Sequence, residues 1–159
     1  MNKILFFALA LISFSTTFAQ DSTDELTLTK ALFGKENKEI VSEFVKIEPG
    51  KEKVFWTLFD EFEAKRSNGG QKKFVLLNNY VKNYMTLSES QTDEIIKEII
   101  LLTKTQEKLI ADYFTKIKKN CGVYTAAQFY QIEWYLTSEV RTNILESIPV
   151  IRGLGTNKK

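Results

Sequence analysis

The chain has 159 residues, with 22 Lys and Arg against 20 Asp and Glu, one Cys and no His. That is the length of a single domain, and its near-balanced charge argues against a nucleic-acid binder working through a basic face. The lack of His excludes imidazole-based catalysis, and with one Cys it also removes the usual zinc ligand sets and any intramolecular disulfide.

Met1-Asn2-Lys3 is a short positive start, Ile4 to Ile12 is an uninterrupted apolar run, and Ser13 to Ala19 is more polar with small residues at its end. This order predicts a secretory signal peptide over 1–19, cleaved between Ala19 and Gln20 and exported by the Sec route. The apolar run falls well short of the roughly 20 residues a membrane span needs. No Cys follows it, so neither a stable membrane anchor nor a lipid anchor is expected. Export places Cys121 in an oxidising compartment, where a lone Cys reads most simply as a buried thiol.

Residues 20–34 read as a flexible segment and 35–150 as a helical domain. Ile40, Val41, Phe44 and Val45 sit at helical spacings and predict a helix from about Lys35 to Ile47, ended by Pro49-Gly50. A second helix is predicted over Glu48 to Arg66, with Pro49 in its first turn and an apolar stripe of Val54, Phe55, Leu58, Phe59 and Phe62. Ser67-Asn68-Gly69-Gly70 is the strongest break, to be read as a loop or a hinge. A third helix follows from Gln71 to Met85, facing inward with Phe74, Leu77, Val81 and Tyr84.

Ser88 with Gln91 has the spacing of a capping box and opens a long fourth helix over 89–119. Lys116, Lys118 and Lys119 in its last turn suit the negative end of the helix dipole, and Asn120-Cys121-Gly122 supplies the stop. Thr125 with Gln128 repeats the capping-box spacing. It predicts a fifth helix to about Ser147, with Phe129, Ile132, Leu136, Val140 and Ile144 inward and Pro149 at the end. Residues 151–159 read as a disordered tail. The fold class is therefore all-α: four to five helices in hairpins, forming an elongated or cradle-like bundle with the long fourth helix as its spine.

The pattern names no catalytic, cofactor-binding or metal-ligating residue, and an enzyme is not expected. Asp60, Glu61 and Glu63 read as a solvated helix face. Ser88 and Thr125 are caps without a base, and Gly69-Gly70 lacks the Lys-Ser/Thr of a phosphate loop. The aromatic content is high, and a thin bundle cannot bury all of it. Trp56, Tyr130, Trp134 and Tyr135 lie off the inward stripes and are the predicted contact surface for a partner or client. Lys116, Lys118 and Lys119 are the candidate basic rim that attracts acidic segments.

Leu87-Ser88-Glu89-Ser90-Gln91 and Tyr124-Thr125-Ala126-Ala127-Gln128 resemble the LTxxQ motifs of the Spy/CpxP-like helical proteins of the periplasm. Phe55 to Glu63, and Phe129 to Glu133 leading to Ile148-Pro149, look like segments of uncharacterised exported relatives from Gram-negative bacteria. The resemblance spans about Val41 to Val150. Ile47-Glu48-Pro49-Gly50-Lys51 departs from the motif, having neither Thr nor Gln. What the resemblance implies is a periplasmic cradle of helical hairpins, often dimeric, that binds unfolded proteins without ATP. The alternative it implies is a dedicated regulatory partner of a membrane-bound stress sensor or sigma-factor system. A monomer closed on itself and a homodimer sharing one core both fit an apolar helical chain of this kind.

Overall fold

The computed structural model describes residues 37–151. The predicted signal peptide with its Ala19–Gln20 junction, the segment 20–34 and the tail beyond Ile151 lie outside the described residues. Among the described residues there are four helices and no strand: α1 (Asn37–Phe44), α2 (Glu52–Asn83), α3 (Glu89–Cys121) and α4 (Val123–Ser147). The fold is all-α, as the sequence pattern predicts. No helix among them is long and apolar enough to cross a membrane.

The predicted break at Ser67–Gly70 is absent. The two helices expected on either side are one 32-residue helix, α2. Each glycine inside a helix costs about 1 kcal/mol relative to Ala. Phe55, Phe59 and Phe62 are buried before the pair and Leu77 after it, and each such side chain gains about 1.5–3 kcal/mol on burial. Burial on both sides outweighs the local penalty, so the helix runs through.

The helix expected over 89–119 is α3, 33 residues long. At 1.5 Å per residue, α2 and α3 are each about 50 Å long, so the molecule is an elongated hairpin rather than a ball. α3 is the spine, packing against α2 on one side and α4 on the other. It ends where Gly122 takes φ +92°, a left-handed value that favours glycine. The Gly122 N–H still bonds to the Lys118 carbonyl, and the chain then reverses directly into α4.

α2 and α4 both run antiparallel to α3 and so run parallel to each other. Phe62 meets Phe129 with ring centroids 5.2 Å apart, and Leu77 packs with Ile144 one cluster further along. The Tyr80 hydroxyl donates to the Pro149 carbonyl at 2.6 Å, tying the end of α2 to the residues after α4.

The start of α4 and the end of α1 differ from the sequence reading for one shared reason. Thr125 and Gln128 do not form a capping box. α4 begins earlier, at Val123, after Gly122, with no side-chain cap. The Thr125 hydroxyl instead donates to the Lys46 carbonyl at 2.9 Å, and the Lys46 N–H donates to Gln128 Oε1 at 2.7 Å. Both backbone groups of Lys46 are thus taken by α4, and α1 stops at Phe44 instead of reaching Ile47. Pro49-Gly50 forms a turn ahead of α2 rather than its first turn. The first capping box is present: Gln91 N–H bonds to Ser88 Oγ at 3.2 Å, and Ser88 N–H to Gln91 Oε1 at 2.9 Å.

The core is discontinuous. A large cluster at the α1 end joins Val41, Phe55, Phe59, Phe62, Tyr113, Ile117, Cys121 and Phe129. Two smaller clusters, around Leu77 with Ile144 and around Tyr80 with Ile95, close the other end. Between them α2 presents Gly69 and Gly70 among the charged residues Lys65, Arg66 and Lys73, and α4 presents Glu133.

Candidate functional site

Two features stand out once the helices are placed: the outer face of α4 and the gap in the core. The inner face of α4 is spent on the bundle, where Phe129 and Ile132 are buried. Its outer face should then be polar, as for any surface helix. It is not. Val123, Ala127, Tyr130 and Trp134 fall at i, i+4, i+7 and i+11 on one exposed stripe, with Tyr124 and Tyr135 beside it. Tyr124 is 81% exposed, Trp134 68%, Tyr135 57% and Tyr130 45%. Tyr130 alone is braced, edge-on to Phe114 at 6.0 Å between centroids.

Trp56 does not belong to this surface. It is half-buried against the main core, edge-on to Phe55 and Phe59, with Lys38 Nζ 5.2 Å from its ring centroid. The sequence reading placed it outside because it lies off the Val54/Leu58/Phe62 stripe. Lys38 of α1 lies over it and also pairs with Asp60 at 2.8 Å. Of the three lysines, Lys118 and Lys119 are exposed at the end of α3, a few residues before Tyr124 at the start of α4. Lys116 is turned back, its Nζ 4.3 Å from the centre of the Tyr113 ring, a contact worth about 0.5–1 kcal/mol at an exposed position. Cys121 is a buried free thiol, and burial raises its pKa.

The residue the sequence reading missed is Glu133. It is 1% exposed, and its Oε1 has no hydrogen-bond partner. Burial pushes its pKa from 4.5 up to about 8, with the Arg66 guanidinium pulling the other way and Glu63 adding to the rise. Arg66 cannot simply neutralise it. Its Nε and Nη2 already donate to the two oxygens of Glu63, at 2.6 and 2.8 Å. The signal was present in the pattern: Phe129, Glu133, Leu136 and Val140 fall at i, i+4, i+7 and i+11, so a carboxylate stands in an apolar stripe.

Glu133 opens onto a cavity of about 70 Å³ between α2, α3 and α4. Gly69 and Gly70 form part of the α2 wall, and a Cβ built on Gly69 meets nothing within 4 Å. Leu102 and Leu109 of α3 and Leu136 and Val140 of α4 supply apolar walls, while Gln106 and Thr137 share a 3.3 Å hydrogen bond across it. Lys73 also lines it. It is half-buried and enters none of the ion pairs among the described residues. Burial first, and Arg141 second, lower its pKa. Asp60, Glu61 and Glu63 do not gather into a carboxylate site. Asp60 pairs with Lys38, Glu63 with Arg66, and Glu61 accepts from the Tyr113 hydroxyl at 3.3 Å.

No family model, curated protein or solved structure matches this chain, so its function is read from its own geometry.

Proposed function

We propose that the protein is an exported, periplasmic binding protein that holds unfolded polypeptide segments on the outer face of α4 without nucleotide. The observation that carries this reading is the exposed stripe of Tyr130, Trp134 and Tyr135 with Tyr124, on a helix whose other face is already committed to the core. Aromatic side chains offer large contact area at low conformational-entropy cost. A flat helix face, rather than a closed pocket, suits clients that share apolar content and no fixed shape. Lys118 and Lys119 at the adjoining end of α3 form a basic rim that draws acidic client segments at low ionic strength. The LTxxQ-like segments at Ser88–Gln91 and Thr125–Gln128 support placing the chain in the wider Spy/CpxP-like group, whose members imply the same kind of activity.

The test is suppression of client aggregation. The protein is titrated into a chemically denatured client in the absence of nucleotide, and light scattering is followed. The reading predicts suppression near equimolar ratio with several unrelated clients, and loss of most of it in the Trp134→Ser, Tyr135→Ser double variant. Undiminished scattering at equimolar protein contradicts it. A single stoichiometric partner in an envelope crosslinking pull-down would then favour the regulatory alternative.

A further inference from the structure

The cavity at Glu133 stands apart from the α4 outer face, and its chemistry is different. We infer that it is a binding site for a short-chain monocarboxylate, whose charged end meets Glu133 in a wall that also carries Lys73, and whose alkyl part lies against Leu102, Leu109, Leu136 and Val140. Four observations lead there.

The first is an unpartnered polar atom. Glu133 Oε1 is buried without a hydrogen bond, and leaving such a group unpaired costs about 1–3 kcal/mol. A bound group would relieve it.

The second is the sign of the surroundings. From α2 the cavity is lined by Lys65, Arg66 and Lys73, and from α3 by no charged residue; on α4 Glu133 is the only charge in the wall. Glu63 is tied to Arg66. Glu107 of α3 and Arg141 of α4 line only the adjoining crevice that Lys73 shares. Arg66 is already paired with Glu63 and Lys65 Nζ lies over the Tyr113 ring, which leaves Lys73 as the cation of the wall that enters no ion pair among the described residues; a carboxylate ligand meets it favourably and an ammonium ligand does not.

The third is protonation. With its pKa raised to about 8, Glu133 is mainly the neutral acid at pH 7. A neutral carboxyl group can donate its O–H to a carboxylate, which the ionised form would repel.

The fourth is size. One water needs roughly 10–15 Å³ of such space. A cavity of about 70 Å³ therefore takes a handful of non-hydrogen atoms, which is the scale of a four-carbon acid. Gly69 and Gly70 keep this space free on the α2 side, in the middle of a helix that would be more stable with alanine there.

The experiment is a titration of the methyl-labelled full chain with sodium butyrate, and separately with butylammonium chloride, read by NMR. Butyrate is expected to shift the methyl signals of Leu102, Leu109, Leu136 and Val140 saturably, and butylammonium is not. If binding requires neutral Glu133, affinity falls about tenfold from pH 7 to pH 9, following the protonated fraction. Glu133→Gln keeps a donor in place, so it is expected to retain binding and lose the part of this pH dependence that belongs to Glu133. Lys73→Gln is expected to weaken binding at least tenfold. Binding of butylammonium in place of butyrate, or no methyl shift with either probe, overturns the inference. It stands or falls independently of client holding.

Discussion

Replacing Glu133 by Gln should make the protein more stable, and by an amount that depends on pH. A carboxyl group with an ordinary pKa of 4.5 is held at about 8 in the fold. Its folded pKa is raised, so its contribution to stability is fully present below pH 4.5. It is lost as pH rises toward 8, because the unfolded chain ionises there and the folded chain does not. One pKa unit corresponds to about 1.4 kcal/mol. Glu133 therefore costs the native state almost nothing at pH 4, about 3 kcal/mol at pH 7 and about 5 kcal/mol at pH 9, relative to a side chain that never ionises. Gln has nearly the same shape and stays neutral, so the difference between the two proteins isolates this one group. Urea unfolding of wild type and Glu133→Gln, followed by circular dichroism at half-unit steps from pH 4.5 to 9, measures it. The predicted result is a gap in unfolding free energy that opens from pH 4.5 to about 8 in favour of the variant and then levels off. A gap that does not change with pH, or a variant less stable than wild type at pH 8, refutes the placement of an uncompensated carboxyl group in the core.

The remaining stability predictions use the same unfolding assay. Gly69→Ala should stabilise by about 1 kcal/mol, since the helix gains propensity and the new methyl group meets open space; a destabilised variant would mean that this side of α2 is filled. Thr125→Val should cost about 1–3 kcal/mol by leaving the Lys46 carbonyl without its donor, while Thr125→Ser should recover most of it. Ser88→Ala should cost about 1 kcal/mol through loss of the α3 cap, with Ser88→Thr close to wild type.

Much of the fold was legible in the sequence because it depends on local periodicity. The Phe55, Phe59 and Phe62 stripe, the Ser88–Gln91 start of α3 and the stop at Gly122 all involve residues within a few positions of one another. What was not legible depends on partners distant in sequence. Gly69-Gly70 is a strong break by local rules, and only burial of Leu77 and Phe62 against other helices overrides it. Thr125 and Gln128 have the spacing of a cap, yet their hydrogen bonds go to Lys46, on a segment far back in the chain. The surface aromatics on α4 followed from counting inward positions, which is why Tyr130, Trp134 and Tyr135 emerge exposed. Trp56 does not, since the place of Lys38 from α1 over its ring is a tertiary fact. Glu133 stood in plain sight within an apolar stripe, but its meaning required knowing that Arg66 is already occupied by Glu63.

The most direct test of the account is to ask where an unfolded polypeptide touches the protein. A photo-crosslinking amino acid is placed at Tyr135 on the outer face of α4 and, in a second protein, at the exposed Glu98 on α3. Each is irradiated with the same purified, chemically denatured client. The account predicts crosslinked client from position 135 and little from position 98, with the signal at 135 competed away by a second unfolded client. Equal crosslinking from both positions, or none from 135 while aggregation is still suppressed, would contradict the assignment of this face.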